Sequence, residues 1–369
     1  MNNTDTALIQ SKEDRMEVAL ETGLGIVLAV TITVVFLKVS FFKKNILKGF
    51  LLAFIVSLPA WFLGTRFPVV GGPIFAVIIG TVIGMRGYPL EMAEGVQLTS
   101  KRVLQVAIVF FGFNMNLRLL GEIGYISILI ILIVIGVTLA TAYLVSKYLH
   151  TNRIMTILIG VGTAICGCSA IAAVAPVVDA KDKDVATSIS TIFIFNILAL
   201  FIYPFIGRIT GMNDMNFGIW AGTAINDTSS VVAAAFSFSD EAGNVATIVK
   251  LTRTLMIVPI IFALITLKSR VPKTATGKLR ILNMVPIFII GFIVASIIHS
   301  IGIIPGDTSK LMASIGKYFV IIALAAIGLN TDINELIKSG KSAIALGGVC
   351  GVVASVTSLL LIGLAGRIL

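Results

Sequence analysis

Residues 162–175 read GTAICGCSAIAAVA, and residues 222–235 read GTAINDTSSVVAAA. Seven of the fourteen aligned positions are identical. Both stretches are dense in Gly, Thr, Ser and other small residues, and both lie inside long apolar runs. Irregular polar backbone is costly in hydrocarbon, and membrane proteins keep it where a polar solute is handled. Lys250 and Arg253 follow the second copy within the run VATIVKLTRTLMIVP. The expected fold is therefore an all-α polytopic membrane protein of about 10–12 transmembrane helices. It should carry an inverted repeat, with broken helices or re-entrant hairpins near the midplane.

The composition agrees. Of 369 residues, 57% are hydrophobic and 12% charged, against about 25% charged in ordinary soluble domains. Mean hydropathy is +1.04. The apolar segments run for about twenty residues, so they read as helices and not as short alternating barrel strands. The net charge of +10 is spread over short loops, as the positive-inside rule demands, and is no nucleic-acid footprint. Cys166, Cys168 and Cys350 all lie in apolar surroundings, which argues against a disulfide framework. With only His150 and His299 present, a His-rich metal site is excluded, and no metal or other cofactor is expected. Residues 1–21 are polar, carry Asp5, Glu13, Asp14, Glu17 and Glu21, and lack a short apolar core, so no signal peptide is expected there.

Spans are predicted near 22–40, 48–65, 69–86, 101–117, 124–147, 153–178, 186–207, 216–237, 243–267, 281–300, 311–330 and 342–366. Residues 22–369 then form one transmembrane domain behind the polar 1–21 segment, with candidate repeat halves near 45–180 and 215–369. Lys38, Lys43, Lys44 and Lys48, then Arg86, Lys101 and Arg102, then Lys147 and Arg153, then Lys268, Arg270, Lys273, Lys278 and Arg280 fall on one side. That side is assigned to the cytoplasm. The acidic loop Asp179–Asp184 is external if 153–178 and 216–237 cross, and internal if they are hairpins. Charge counting does not choose.

A second similarity relates residues 101–117, KRVLQVAIVFFGFNMNL, to residues 317–333, KYFVIIALAAIGLNTDI. Lys101/Lys317, Ala107/Ala323, Gly112/Gly328 and Asn114/Asn330 match, and Asn116 faces Asp332. The copies are the fourth and eleventh predicted spans, seven apart in order, so they run in opposite directions, as inverted repeats do. Convergent composition at helix ends explains the same matches.

Lys250 and Arg253 are three apart and share a helix face. Arg253 is ten residues into its predicted span, about 15 Å deep, where a cation costs about 2.5–3.5 kcal/mol. They serve either as ion-pair partners of Asp227 or as an anion site, and two cations against one nearby acid favour the anion. Asp227 is the carboxylate inside an apolar segment, suited to coupling or to capping a broken helix. Gly167 and its neighbours let the first motif unwind, and half-helix N-termini bind anions. Thr163, Ser169, Thr223 and Ser229 supply hydroxyls at matched places. Cys166 and Asn226 occupy equivalent positions at the two kinks. Gly80-x-x-x-Gly84 and Gly347-x-x-x-Gly351 are packing motifs, and Asn196 is either an inter-helix hydrogen bond or cavity wall. No phosphate-binding loop of the Gly-x-x-x-x-Gly-Lys-Ser/Thr type is present, so ATP is not expected to drive this chain.

GTAICGCSAIAAVAP, WAGTAINDTSSVVAAA and VKLTRTLMIVP together resemble the YeiH-type sulfate-exporter family of bacterial inner-membrane proteins, over most of the chain from about residue 45. Where such proteins show Cys-Gly-Gly-Ser, this chain has Cys166-Gly167-Cys168-Ser169. The resemblance implies an inverted-repeat secondary transporter for a small anion, a sulfur-containing oxyanion among the candidates. The expected reading is alternating access, with Lys250, Arg253, Thr163, Cys166, Gly167, Ser169, Thr223, Asn226 and Ser229 at the substrate and Asp227 coupling. An anion channel is the alternative, and an intramembrane enzyme is not expected. Expected partners are the anion and the bilayer, with no nucleic acid and with homo-oligomerisation left open.

Overall fold

The computed structural model describes residues 44–67, 71–115, 117–267, 286–302, 304–331 and 340–368. The predicted span 22–40, the polar segment 1–21, the basic loop 268–280 and the Asn116/Asp332 match lie outside the described residues.

Every regular element among the described residues is helical. In chain order these are α1 (Lys44–Arg66), α2 (Gly72–Arg86), a single 3-10 turn (Leu90–Met92), α3 (Ala93–Gly112), α4 (Leu117–Leu149), α5 (Arg153–Ala164), α6 (Cys168–Val174) and α7 (Asp182–Ile209). They continue with α8 (Asp214–Ala224), α9 (Thr228–Phe238), α10 (Asp240–Leu255), α11 (Ile257–Leu267), α12 (Ile287–Ser300), α13 (Gly306–Leu329) and α14 (Lys341–Ile368). Among the described residues six helical stretches are long and apolar enough to cross a membrane: Asn45–Arg66, Ser127–Leu149, Asp182–Ile209, Asp240–Ile261, Gly306–Leu329 and Lys341–Ala365. The chain is a multi-pass membrane protein.

The helices form two groups. In the first, α13 packs on α1, α2 and α3, with α12 against α3. Small residues let these helices touch backbone to backbone. A Cβ on Gly80 would sit 2.4 Å from the Ala325 carbonyl oxygen, and one on Gly84 2.5 Å from that of Leu329. The Gly80/Gly84 pair is thus a packing motif, as its spacing predicts. In the second group α4, α5, α7, α8, α10 and α14 surround the two short helices α6 and α9. Gly347 of the other glycine motif meets Thr191 of α7, while Gly351 meets nothing within 4 Å. The groups touch where α9 lies against α2 and α13, and where α12 meets α4.

The predicted spans 153–178 and 216–237 do not cross. Both are re-entrant hairpins. In the second, the Phe217 ring at the start of α8 stacks on Phe238 at the end of α9, with centroids 4.0 Å apart. Ser239 Oγ donates to Asp214 Oδ1 at 2.5 Å, so the hairpin leaves by the face through which it came. In the first, Asn152 Nδ2, at the start of α5, donates to Asp184 Oδ1, at the start of α7, at 2.9 Å. α6 must therefore return toward the face from which α5 set out. The long helix α7 separates the two events, so the hairpins enter from opposite faces. The Asp179–Asp184 loop then shares the face of Lys147 and Arg153.

The physical cause is local. Asn152 and Asn213 cap the first arms, accepting from the backbone N–H groups of Met155 and Asn216 at 2.7 and 2.8 Å. Each arm then runs for only about three turns before its break: α5 has 12 residues and α8 has 11. Gly167 turns the first hairpin at φ +67°, ψ −131°, a conformation reserved for glycine. In the second, extended Ile225 and Asp227 make the turn, and the Asp227 carboxylate caps α9 by accepting from Ser229 N at 2.9 Å.

One boundary bears on function. The predicted span 101–117 put Lys101 and Arg102 at its mouth. The helix actually begins at Ala93, eight residues earlier, so Lys101 lies in its middle. The sequence hid this because Glu94, Gln97, Lys101 and Arg102 dilute the hydropathy of the first half of α3.

An ion pair also ties the two groups together. Lys317 Nζ of α13 lies 2.6 Å from Asp240 Oδ2 at the start of α10, with side chains 40% and 68% exposed. It borders a cavity of about 310 Å³ lined by Trp61, Phe236, Tyr318 and neighbouring side chains. Such an open pair is worth about 0–1 kcal/mol. Lys317→Ala should leave the thermal unfolding temperature within a degree or two, and the charge-reversed double variant Lys317→Asp/Asp240→Lys should match the parent.

Candidate functional site

The two hairpin tips meet. A Cβ on Gly167 would lie 3.4 Å from Asp227 Cβ. Beneath them α10 runs parallel to α8: Cβ atoms on Gly218 and Gly222 would lie 2.6 and 2.7 Å from the Cβ atoms of Val245 and Val249, one turn apart. That register carries Lys250 and Arg253 to the point where both first arms end.

Both cations are fully buried, and both are spent on main-chain carbonyls. Lys250 Nζ donates to Ile165 O at 2.8 Å and to Ile225 O at 2.9 Å. Arg253 donates from Nε to Ala164 O at 2.8 Å, from Nη1 to Ile225 O at 3.0 Å and from Nη2 to Thr163 O at 2.5 Å. The last carbonyls of a helix have no partner within it and carry the negative end of its dipole. Two cations held between two such ends satisfy those carbonyls and cancel both dipole charges. Neither cation makes a direct ion pair with Asp227, whose carboxylate is taken by Ser229 N and Ser229 Oγ. Lys250 and Arg253 therefore share one helix face, as their spacing predicts, and lie at the kinks, where their partners are the protein's own carbonyls.

The remaining site residues of the sequence reading all lie at the tips or in the arms. Thr223 Oγ1 donates to Ile219 O at 2.6 Å and shares a 2.5 Å hydrogen bond with Ser358 Oγ of α14. Trp220 Nε1 donates to Ser355 Oγ of the same helix at 3.1 Å. Ser169 Oγ donates to Cys166 O, 2.9 Å away, with Cys166 Sγ at the same distance. Asn196, buried in α7, accepts from Asp227 N at 3.3 Å, so it is an inter-helix bond to the second tip. Thr163 Oγ1 and Asn226 Oδ1 are buried with no hydrogen-bond partner among the described residues.

Burial divides the site into two sides. Residues 161–167 and 221–226 are sealed, whereas Cys168, Asp227 and Thr228 are half-buried and Ser169 is exposed. The accessible side of the tips is thus the start of the second arms. The cations stand on the far, closed side. The sequence ranked Lys250 and Arg253 above Cys168 and Thr228 because charge is visible in a sequence and burial is not.

Comparison with known proteins places the chain. Residues 48–347 match the family described as Conserved hypothetical protein 698. A UPF0324 membrane protein of Streptococcus agalactiae serotype V is 40% identical over 318 residues, covering 84% of this chain and 94% of the relative. One of Streptococcus mutans serotype c is 41% identical over 330 residues, covering 86% and 96%. One of Fusobacterium nucleatum is 40% identical over 337 residues, covering 86% and 97%. No solved structure matches. The chain belongs to the UPF0324 family of membrane proteins, which is the YeiH-type family that its two GTAI motifs resemble.

Proposed function

We propose that this protein is a secondary transporter of a small anion that works by alternating access. The observation that carries the reading is the pair of hairpins entering from opposite faces and touching at Gly167 and Asp227. Such an arrangement puts irregular polar backbone at the centre of the membrane and makes it reachable from either face in turn. Lys250 and Arg253 stand behind the tips with a single carboxylate, Asp227, between them and the accessible side. Their two charges are largely offset by the two helix-end dipoles and by Asp227, which leaves the tips close to neutral. The hydroxyls of Ser169 and Thr228 lie on the accessible side, where they suit a tetrahedral oxyanion as donors. A sulfur-containing oxyanion is the substrate class we favour. The Ser229 hydroxyl and the Asp227 carboxylate are committed to each other and to the cap of α9, so we read the chain as a carrier and not an enzyme.

The reading also assigns the moving parts. Five hydrogen bonds from one helix fasten both tips to α10. The hairpins therefore move as one body, and the first helix group shifts against it along the sparse α9 contacts. Proteoliposomes loaded with sulfate or sulfite should show saturable counterflow of labelled anion. Asp227→Asn should lower that flux at least about tenfold, because it keeps the cap of α9 but removes the carboxylate charge at the tips. Single-channel currents without counterflow would replace the carrier with a channel. Absence of flux for sulfate, sulfite, thiosulfate and simple sulfonates would remove the substrate class.

A further inference from the structure

If Lys250 and Arg253 are spent on carbonyls, the charge that meets an incoming anion must come from elsewhere. α3 supplies one. Along this helix Glu94, Gln97 and Lys101 are exposed and Gln105 is half-buried, at spacings of three and four residues, so they form one stripe. Beyond it every residue from Val106 to Gly112 is buried. A polar stripe that starts at one end of a helix and stops midway does not face lipid, where each such group would be penalised. It lines water that enters from one face and ends inside.

Lys101 is the deepest charge on that stripe. It lies eight residues from Ala93 and eleven from Gly112, about 12 and 16 Å along the axis. It has no hydrogen-bond or ion-pair partner among the described residues. Its match in the internal similarity, Lys317, is by contrast paired with Asp240 at 2.6 Å. The Phe111 ring near the end of α3 stacks on Phe236 of α9, with centroids 4.5 Å apart. Lys101 lies ten residues before Phe111 and Asp227 nine before Phe236. Lys101 therefore stands about level with the tips, where Cys168 begins the second arm of the first hairpin beside exposed Ser169. The stripe of α3 and the accessible side of the tips thus face one space.

We infer that α3 and α6 bound a water-filled vestibule, open on the face that carries Lys147 and Arg153, in which Lys101 selects anions and hands them to the hairpin tips. This rests on the transporter reading for its purpose but not for its geometry. The role expected of Arg253 and Lys250 in the sequence thereby passes to a residue on the opposite helix group. Substrate would then be held between the two groups, where a relative shift can expose it to the other face.

The test uses Cys168 as a reporter in the full-length protein, with Cys166 and Cys350 replaced by alanine. Its modification rate is measured with the anionic reagent 2-sulfonatoethyl methanethiosulfonate and with the cationic 2-(trimethylammonium)ethyl methanethiosulfonate, in vesicles of each orientation. Both should reach Cys168 from the Lys147/Arg153 face. Lys101→Gln should lower the anionic-to-cationic rate ratio about tenfold, the scale of one unit charge acting within a partly solvated site, and Lys101→Arg should preserve it. An unchanged ratio in Lys101→Gln overturns the inference, as does a Cys168 that reacts with neither reagent until the protein is denatured. The transporter reading fails separately, if the parent protein carries no anion in proteoliposomes while the labelling ratio still depends on Lys101.

Discussion

Arg253→Ala destabilises the protein by about 3–5 kcal/mol, the cost of removing one partner from a buried charged set, and shows as a lower unfolding temperature in detergent. Thr163 O and Ala164 O lose their donor at once, and Ile225 O keeps only that from Lys250. The first two belong to one hairpin and the third to the other, so of the two cations that bridge the tips only Lys250 remains. Arg253→Lys should recover part of the stability. An ammonium keeps the charge but cannot present donors in three fixed directions. If Arg253→Ala melted with the parent protein, the carbonyl clamp would not be what holds the hairpins.

Gly167→Ala should cost about 1–3 kcal/mol of stability, because alanine is strained at φ +67°, ψ −131°. Its larger effect should be on transport, lowered by about 10–100-fold, the scale of a 1 Å misplacement at a reacting site. The side chain itself has room, since the nearest atom to the new Cβ is 3.4 Å away. The strain is relieved by moving the turn, and the turn carries Cys168 and Ser169 and touches Asp227. Gly211→Ala is the control. It too has positive φ, at +64°, with nothing within 4 Å of the new Cβ, but it lies in the connection between α7 and α8. It should cost stability and leave flux per folded molecule unchanged. Equal flux losses in both variants would mean that the tip geometry is not critical.

The helical membrane fold, the two kinks and the placing of Lys250 and Arg253 beside them were legible in the sequence. Each leaves a trace in composition: long apolar runs, a repeated GTAI and charges in hydrocarbon. What the cations bind was not legible. Main-chain carbonyls have no letter, and two basic residues beside one acid read the same whether they hold an anion or a helix end. The hairpins were likewise undecided, because a crossing and a re-entrant loop of the same length leave the strongly basic loops on the same side. Only pairs such as Phe217 with Phe238 distinguish them, and those meet in space. Lys101 was misplaced for a third reason. Its helix begins with Glu94, Gln97 and Lys101, so hydropathy puts the span's mouth where its middle lies. The three-and-four spacing of those polar residues was the signal that could have found it.

The bonds from Trp220 to Ser355 and from Thr223 to Ser358 each join residues 135 apart in the chain. A ribosome adding about 5–20 residues per second needs roughly 7–27 s to make that distance. For that time the second hairpin sits in the bilayer held by α10 and by Asn196 of α7, with an indole and a hydroxyl still waiting for α14. A nascent chain arrested before Ser355 would thus present an unfinished re-entrant loop to membrane proteases. Completion of the second hairpin therefore waits on the synthesis of α14.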